Sequence, residues 1–350
     1  MMASGASAYR LSKPVLFLVF NRPDTTQAVF EAIRAARPPR LYVAADGARE
    51  GRAGEAGICD QVRAIATAVD WPCQLATLFR STNLGCRVAV SDGISWFFEH
   101  EEDGIILEDD CLPTASFFRF CETLLDRYKN EESVGVISGN NFQSPGRLYD
   151  ASYYFTKYAH IWGWASWRRY WQHYDRDLKQ ADLPQVVSAL QRISEGDRYF
   201  VRYWGNLFLR LKKDSGYSWK HSILPSLATA QTPPRYPIMN TWDYQVFFSG
   251  LLRREQTVHA VPKVNLVRNL GFGGGGTHVT AGSHNPADKA GELAFPLTHP
   301  ARIVRDVNAD RYIDRHHYHI GFKTTLGQSL GQTLPGLKKS VMSAKALWST

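Results

Sequence analysis

The chain has 350 residues, 44% apolar and 13% aromatic, which excludes a disordered protein and leaves room for a large core. Its 41 Lys and Arg against 33 Asp and Glu leave a net charge of +8, which favours anionic partners such as lipid headgroups, nucleic acid or a phosphorylated ligand. Five cysteines without a close pair or metal-ligand spacing point to reduced thiols in a cytosolic protein, and no apolar stretch reaches the length of a membrane span or a signal-peptide core.

The first half alternates in type. Residues 15–20, "VLFLVF", read as a buried strand, and 24–36 follow as a helix with Pro23 before it and Asp24 as N-cap. Strands are expected at 41–46, 74–81, 104–109 and 134–139, and helices at 59–70, 87–100 and 115–128. This order predicts an α/β fold whose sheet is mostly parallel and flanked by helices on both faces. In such sheets ligands gather at the carboxyl ends of the strands. Asn21-Arg22, Asp46-Gly47 and Glu108-Asp109-Asp110 all fall at such ends, so three polar clusters are expected along one edge.

The second half differs. Residues 153–174 hold ten aromatics in 22 positions, and helical signals resume at 184–212. A polar, Pro-containing stretch, "TPPRYPIMNTWDYQ", leads to "VNLVRNLGFGGGGTHV", where residues 273–276 are all glycine. The organisation expected is one domain, with a nucleotide-binding half at 14–140, an acceptor-binding half at 141–320 and a basic tail at 321–350. The tail carries Lys323, Lys338, Lys339 and Lys345 and no acid. It reads either as an interfacial amphipathic helix giving peripheral membrane contact or as a disordered end.

Three acids in a row repel one another and resist desolvation. Strand alternation would put Glu108 and Asp110 on one face and Asp109 on the other. A divalent cation with oxygen ligands, Mn²⁺ or Mg²⁺, would relieve the repulsion and clamp a diphosphate. A solvated turn capping the helix at 115 is the plainer alternative. The strand before the triplet and the two other strand-end clusters favour the cation. His278, just past the glycine run, would suit Mn²⁺ as an imidazole ligand or stand as an exposed loop histidine.

In this order, "FNRP", "AADGAR", "STNLGCRVAVSDGISWFFE" and "ILEDDCLP" resemble the nucleotide-diphospho-sugar transferase fold, the GT-A glycosyltransferases. "HIWGWASWRRYW", "NTWDYQ" and "NLVRNLGFGGGGTH" extend the likeness toward a bacterial hemolysin-like sugar transferase group found beside polysaccharide genes. The acidic triplet resembles the DxD-type motif of these enzymes. The resemblance spans about residues 14–280.

It implies a donor site at Phe20, Asn21, Arg22 and Asp46 for base and ribose, and at Asn83, Gly85 and Arg87 beside the sugar nucleotide. Glu108 and Asp109 would reach ribose or the metal through water, and Asp110 would meet the metal directly. A late histidine, here His278, would complete the metal shell on a closing loop. Asp243 would be the base that accepts the acceptor's proton in an inverting transfer, with Asp175 and Asp177 as competitors. Asp243 would also serve as a helix N-cap. Trp162, Trp164 and Trp242 would stack on sugar rings, although clustered tryptophans are most often core; His160 reads as structural.

The expected partners are a nucleotide-diphospho-sugar donor, a UDP-sugar foremost, and a surface glycan, lipopolysaccharide or lipid-linked acceptor, with no nucleic acid. The expected place is the cytoplasm, at the inner face of the membrane if the tail docks there. Two rivals stand beside this reading. A sugar nucleotidyltransferase would need a glycine-rich basic loop after the first strand, where "FNRPDTTQ" has no glycine. A non-catalytic glycan-binding or membrane-active protein would leave the acids without a partner.

Overall fold

A computed structural model describes residues 9–144, 149–212, 241–253, 257–271 and 289–321. They fall into two compact units, one from residues up to 176 and 240–310, the other from 177–239 and 311 onward.

The first unit is built on a sheet that contains, among the described residues, β1 (Val15–Val19), β2 (Arg40–Ala45), β3 (Gln74–Phe79), β4 (Asp103–Glu108), β6 (Val134–Ser138), β7 (Tyr153–Thr156), β8 (Trp164–Trp167) and β9 (Val258–Pro262). The spatial order is β3-β2-β1-β4-β8-β6-β9-β7. β1 to β4 pair in parallel, β6 pairs in parallel with β9, and β8 and β7 run antiparallel to their neighbours. Two further short strands, β5 (Cys111–Pro113) and β10 (Val267–Asn269), form an antiparallel ribbon. The mostly parallel, helix-flanked α/β sheet expected from the sequence is the one observed, in a Rossmann-like arrangement.

β1 shows why the strand runs are apolar throughout. Val15, Phe17 and Val19 pack on one face against Val29, Phe30 and Ile33 of α1 (Pro23–Ala36), Val62 of α2 (Glu55–Ala66) and Phe117, Phe120 and Leu124 of α4 (Ala115–Arg127). Leu16 and Leu18 face the other way, toward Ile94 and Phe97 of α3 (Cys86–His100), Tyr170 and Trp171 of α5 (Arg168–Trp171) and Val246 of α8 (Asp243–Arg253). A strand covered on both faces cannot carry a polar alternate residue.

One local expectation needs correction. Arg22, not Asp24, is the N-cap of α1, and Pro23 takes the first helical position. Proline's preset φ and missing N–H suit that position. The aromatic run also hides strand: β8 inserts between β4 and β6, with Ile105 and Ile137 both opposite Ala165. Trp164 and Trp167 are buried at its ends, and Trp171 is buried in α5.

β6 carries one extra residue against β9, between Val134↔Val258 and Ile137↔Ala260. Such a bulge leaves a backbone group out of the ladder. The Val136 N–H donates instead to Nδ1 of His259, 3.1 Å away. His259 is buried, and burial pushes its imidazole down to about 3.

In the second unit, α6 (Leu183–Ile193) opens on a capping box between Asp182 and Gln185, and Asp197 caps α7 (Arg198–Leu211). Trp204 packs edge-on against Tyr318 at 5.0 Å. A further helix, α9, covers Val307–His316. Among the described residues no helix is long and apolar enough to cross a membrane. Residues 322–350, with all four tail lysines, lie outside the described residues.

The His259 arrangement predicts acid sensitivity. A folded pKa depressed below the unfolded value of about 6.5 contributes stability that is complete above it and lost as pH falls, by up to about 1.4 kcal/mol per pH unit. Urea unfolding measured from pH 7 to 4.5 is expected to show a shallower acid limb in His259→Asn, whose side-chain oxygen can still accept from Val136. An unchanged slope would reject the assignment.

Candidate functional site

β1 lies between β2 and β4, so the carboxyl ends of the three strands adjoin. The link from β1 to α1 is three residues, Phe20-Asn21-Arg22, and each is tied to a neighbouring element. The Phe20 N–H donates to Oδ2 of Asp109 at 3.2 Å. Asn21 donates to Oε1 of Glu55 at 2.9 Å. Nη1 of Arg22 lies 3.3 Å from Oδ1 of Asp109 and 2.8 Å from Oδ2 of Asp110.

One guanidinium nitrogen thus meets both aspartates. The strict face alternation expected for the triplet stops at Glu108, where β4 ends and the chain turns. Asp109 is buried, and Glu108 and Asp110 are half-buried. Desolvation first, and Asp110 next, raise the Asp109 carboxyl to about 7, against the pull of Arg22. Glu108 is also raised, by desolvation and then by Asp110, Asp109 and Asp243. Three carboxyl groups beside one guanidinium crowd together more charge than Arg22 offsets, and Glu108 and Asp109 resist ionisation for that reason as well as for their burial.

Asp243 is the first residue of α8 and is half-buried. Its Oδ1 accepts from the Thr241 hydroxyl and, at 2.8 Å, from the Tyr244 N–H. Its charge reaches both Glu108 and Cys86, which places it on the triplet's side of the unit. Cys86 opens α3 and is exposed, yet the protein around its thiol, with Glu108 and Asp243, pushes it up to about 12. Asp175 donates its backbone N–H to Ser249, whereas Asp177 belongs to the second unit and pairs with Lys179 at 3.2 Å.

Asp46 is occupied by its own loop. Its carboxylate accepts from the N–H groups of Gly47, Leu84 and Gly85 and from the amide of Asn83. It thereby sets the path into α3. Gly47 is forced by the same packing, since a Cβ there would lie 2.4 Å from the Thr82 carbonyl carbon. On α3, Arg87 donates to the carbonyl of Arg176 at 2.9 Å.

Sequence reasoning missed four participants. Glu55 binds Arg49 and Asn21, which hold its carboxyl down at about 2, and Arg49 lies over the Phe20 ring at 5.4 Å. Cys86, Asn269 and Gly271 are the others. β10 pairs with β5, and the Leu270 N–H donates to the Asp110 carbonyl at 2.7 Å, so this strap lies against the triplet. A Cβ on Gly271 would sit 2.6 Å from Oδ2 of Asp110 and 3.0 Å from Oδ1 of Asn269. Asn269 and Gly271 fall in a quoted motif and were legible there; Glu55 carried no signal.

The tryptophans divide. Trp164 and Trp242 are buried and stacked on each other, with centroids 6.1 Å apart and planes at 26°. Neither face is offered to a sugar, so their expected stacking role is corrected to core packing. Trp162 is half-buried beside Phe142. His160 is buried between Phe142 and Tyr158. His278 and residues 273–276 lie outside the described residues.

The residues fit a hard cation in one respect. Asp109 and Asp110 already share a positive group, Glu108 is raised by desolvation and then by the charge of both, and Asn269 has its Oδ1 engaged by the Gly271 N–H at 2.7 Å. Among the described residues no group of three or more His, Cys, Asp or Glu is assembled as a metal cage.

No family model and no curated protein matches the chain. Among solved structures it is similar to UDP-glucose pyrophosphorylase complexed with UDP-glucose, at 11% identity and a TM-score of 0.23 over 39% of this chain and 66% of that one. Apo UDP-glucose pyrophosphorylase gives 11% identity and 0.22, over 42% and 63%. The chain spans less than two thirds of either, and a likeness this slight carries no functional weight.

The Asp46 loop makes a stability prediction. Gly47→Ala forces a Cβ into the Thr82 backbone and is expected to cost about 1–3 kcal/mol, the usual range for overpacking. A urea midpoint equal to wild type would show that the loop yields freely.

Proposed function

We propose that the chain is a metal-dependent glycosyltransferase of the GT-A type, taking a sugar from a nucleotide-diphospho-sugar, a UDP-sugar foremost. The acceptor is a surface glycan, a lipopolysaccharide or a lipid-linked glycan. The observation that carries this reading is the triplet Glu108-Asp109-Asp110 at the end of β4, beside the end of β1 and within electrostatic reach of Asp243. A strand-end cluster of three carboxyl groups that resist ionising side by side is suited to a cation, which would let them ionise, and through it to a diphosphate.

In this reading Asp110 meets Mn²⁺ or Mg²⁺ directly, Glu108 and Asp109 reach ribose or the metal through water, and His278 completes the metal's ligands. When bound, the cation offsets the charge that develops on the departing diphosphate. Phe20, Asn21 and Asp46 line the base and ribose end, and Asn83 lies beside the sugar nucleotide. Arg22 and Arg87 take phosphate oxygens, for which a guanidinium fork is well shaped. Asp243 accepts the proton of the attacking hydroxyl in a single inverting displacement. Trp162 lies on the acceptor side. The half-and-half division at residues 14–140 and 141–320, the cytoplasmic setting and membrane docking through the tail belong to the same proposal.

The sugar nucleotidyltransferase reading is less well supported, because three residues join β1 to α1 and none is glycine. That link leaves little loop to wrap a triphosphate.

Turnover of UDP-, GDP- and dTDP-sugars with and without Mn²⁺ tests the class. Asp110→Asn removes charge without changing volume and is expected to abolish Mn²⁺-dependent donor binding in a thermal-shift assay, with the far-UV spectrum intact. Full metal-dependent turnover in that variant would refute the ligand assignment.

Asp243→Asn is expected to bind donor normally and to transfer about 10²–10⁴-fold more slowly, the usual worth of a general base. A parallel loss of donor affinity would place Asp243 in the nucleotide pocket instead.

A further inference from the structure

We propose that Arg22 is a resident counter-cation of the acid triplet, and that a divalent cation gains its place only together with a nucleoside diphosphate that takes over the guanidinium. The inference rests on the metal reading above and concerns the order in which that site fills.

The geometry is that of an occupied cation position. A single nitrogen of Arg22 reaches Oδ1 of Asp109 and Oδ2 of Asp110. The second oxygen of Asp109 is held by the Phe20 N–H. Oδ1 of Asp110 accepts from the Cys111 thiol at 3.5 Å, and a Cβ on Gly271 would lie 2.6 Å from Oδ2. A cation arriving at Asp110 therefore meets a positive group already at Oδ2, the same guanidinium nitrogen that contacts Asp109.

The Arg22 backbone is pinned while its side chain is partly open to solvent. Its carbonyl accepts from the Thr26 N–H at 3.0 Å and the Thr25 hydroxyl at 3.4 Å, and Pro23 starts α1 immediately after it. About a quarter of its side chain is exposed, at 27%. Swinging the guanidinium off the carboxylates thus leaves β1 and α1 in place.

Charge decides when the swing happens. Three consecutive acids face one guanidinium, so the cluster has capacity for more positive charge. A bare dication would have to overcome repulsion from Arg22 at close range. A dication bound to a diphosphate brings anionic oxygens for the guanidinium to move to, in a bidentate contact. Cation and nucleotide then each raise the affinity of the other, as linkage requires.

Calorimetric titration of Mn²⁺ into the full chain and into Arg22→Gln, each with and without UDP, tests this. Without UDP, Arg22→Gln is expected to bind Mn²⁺ at least about tenfold more tightly than wild type, since a unit charge is removed from beside a dication. UDP is expected to raise the wild-type affinity by a similar factor and that of the variant by much less. Far-UV circular dichroism checks that the variant is folded. Equal or weaker Mn²⁺ binding by a folded Arg22→Gln overturns the proposal and leaves the metal reading intact. Absence of Mn²⁺ binding in both proteins, with and without UDP, overturns both. The two wild-type titrations need no variant, and no gain on adding UDP is enough to reject the exchange.

Discussion

The parallel pairing of β1 with β4 is the constraint on which the rest depends. With Leu18 opposite Glu108, the residues that follow each strand come off the sheet side by side. That register lets Phe20 reach Asp109 through its backbone and Arg22 reach Asp109 and Asp110 through its side chain. A slip of one residue would turn Phe17 toward α3 and Leu18 toward α1, exchanging the two cores. The apolar alternation that holds the strand in register is thus also what holds the arginine against the acids.

Much of this was readable from residue order. Each of the nine elements expected up to residue 139 appears within a few residues of its place, because buried parallel strands are apolar runs and the helices between them carry a clear period, while the three-residue β5 was not foreseen. Arg22 could be assigned to a strand end, but its partner could not, since pairing depends on which strand lies next to β1. Strand direction misled at Asp109 and Asp110, where alternation was extended past the end of β4.

The second half was less legible for a physical reason. β8 is four residues long, buried on both faces and rich in tryptophan, so neither period nor polarity separates it from the helix that follows. Trp164 and Trp242 were read for a binding role because indole rings suit sugars, yet their rings fill the core under α3 and α8. Glu55 lay beyond any sequence rule: its value comes from Arg49 and Asn21, which only the folded chain brings to it.

The insertion of β8 has a consequence for how the protein is made. β4 and β6 are separated in the sheet by a strand that leaves the ribosome about 30 residues after β6, since synthesis is sequential. Until then β3-β2-β1-β4 is a partial sheet with the inner edge of β4 bare, and β6 has no lateral partner. Both edges are apolar and able to pair with another chain. Closure waits for long-range contacts, which are slow to form. The strand that joins the two parts of the sheet is therefore also a step before which the nascent chain is open to misassembly.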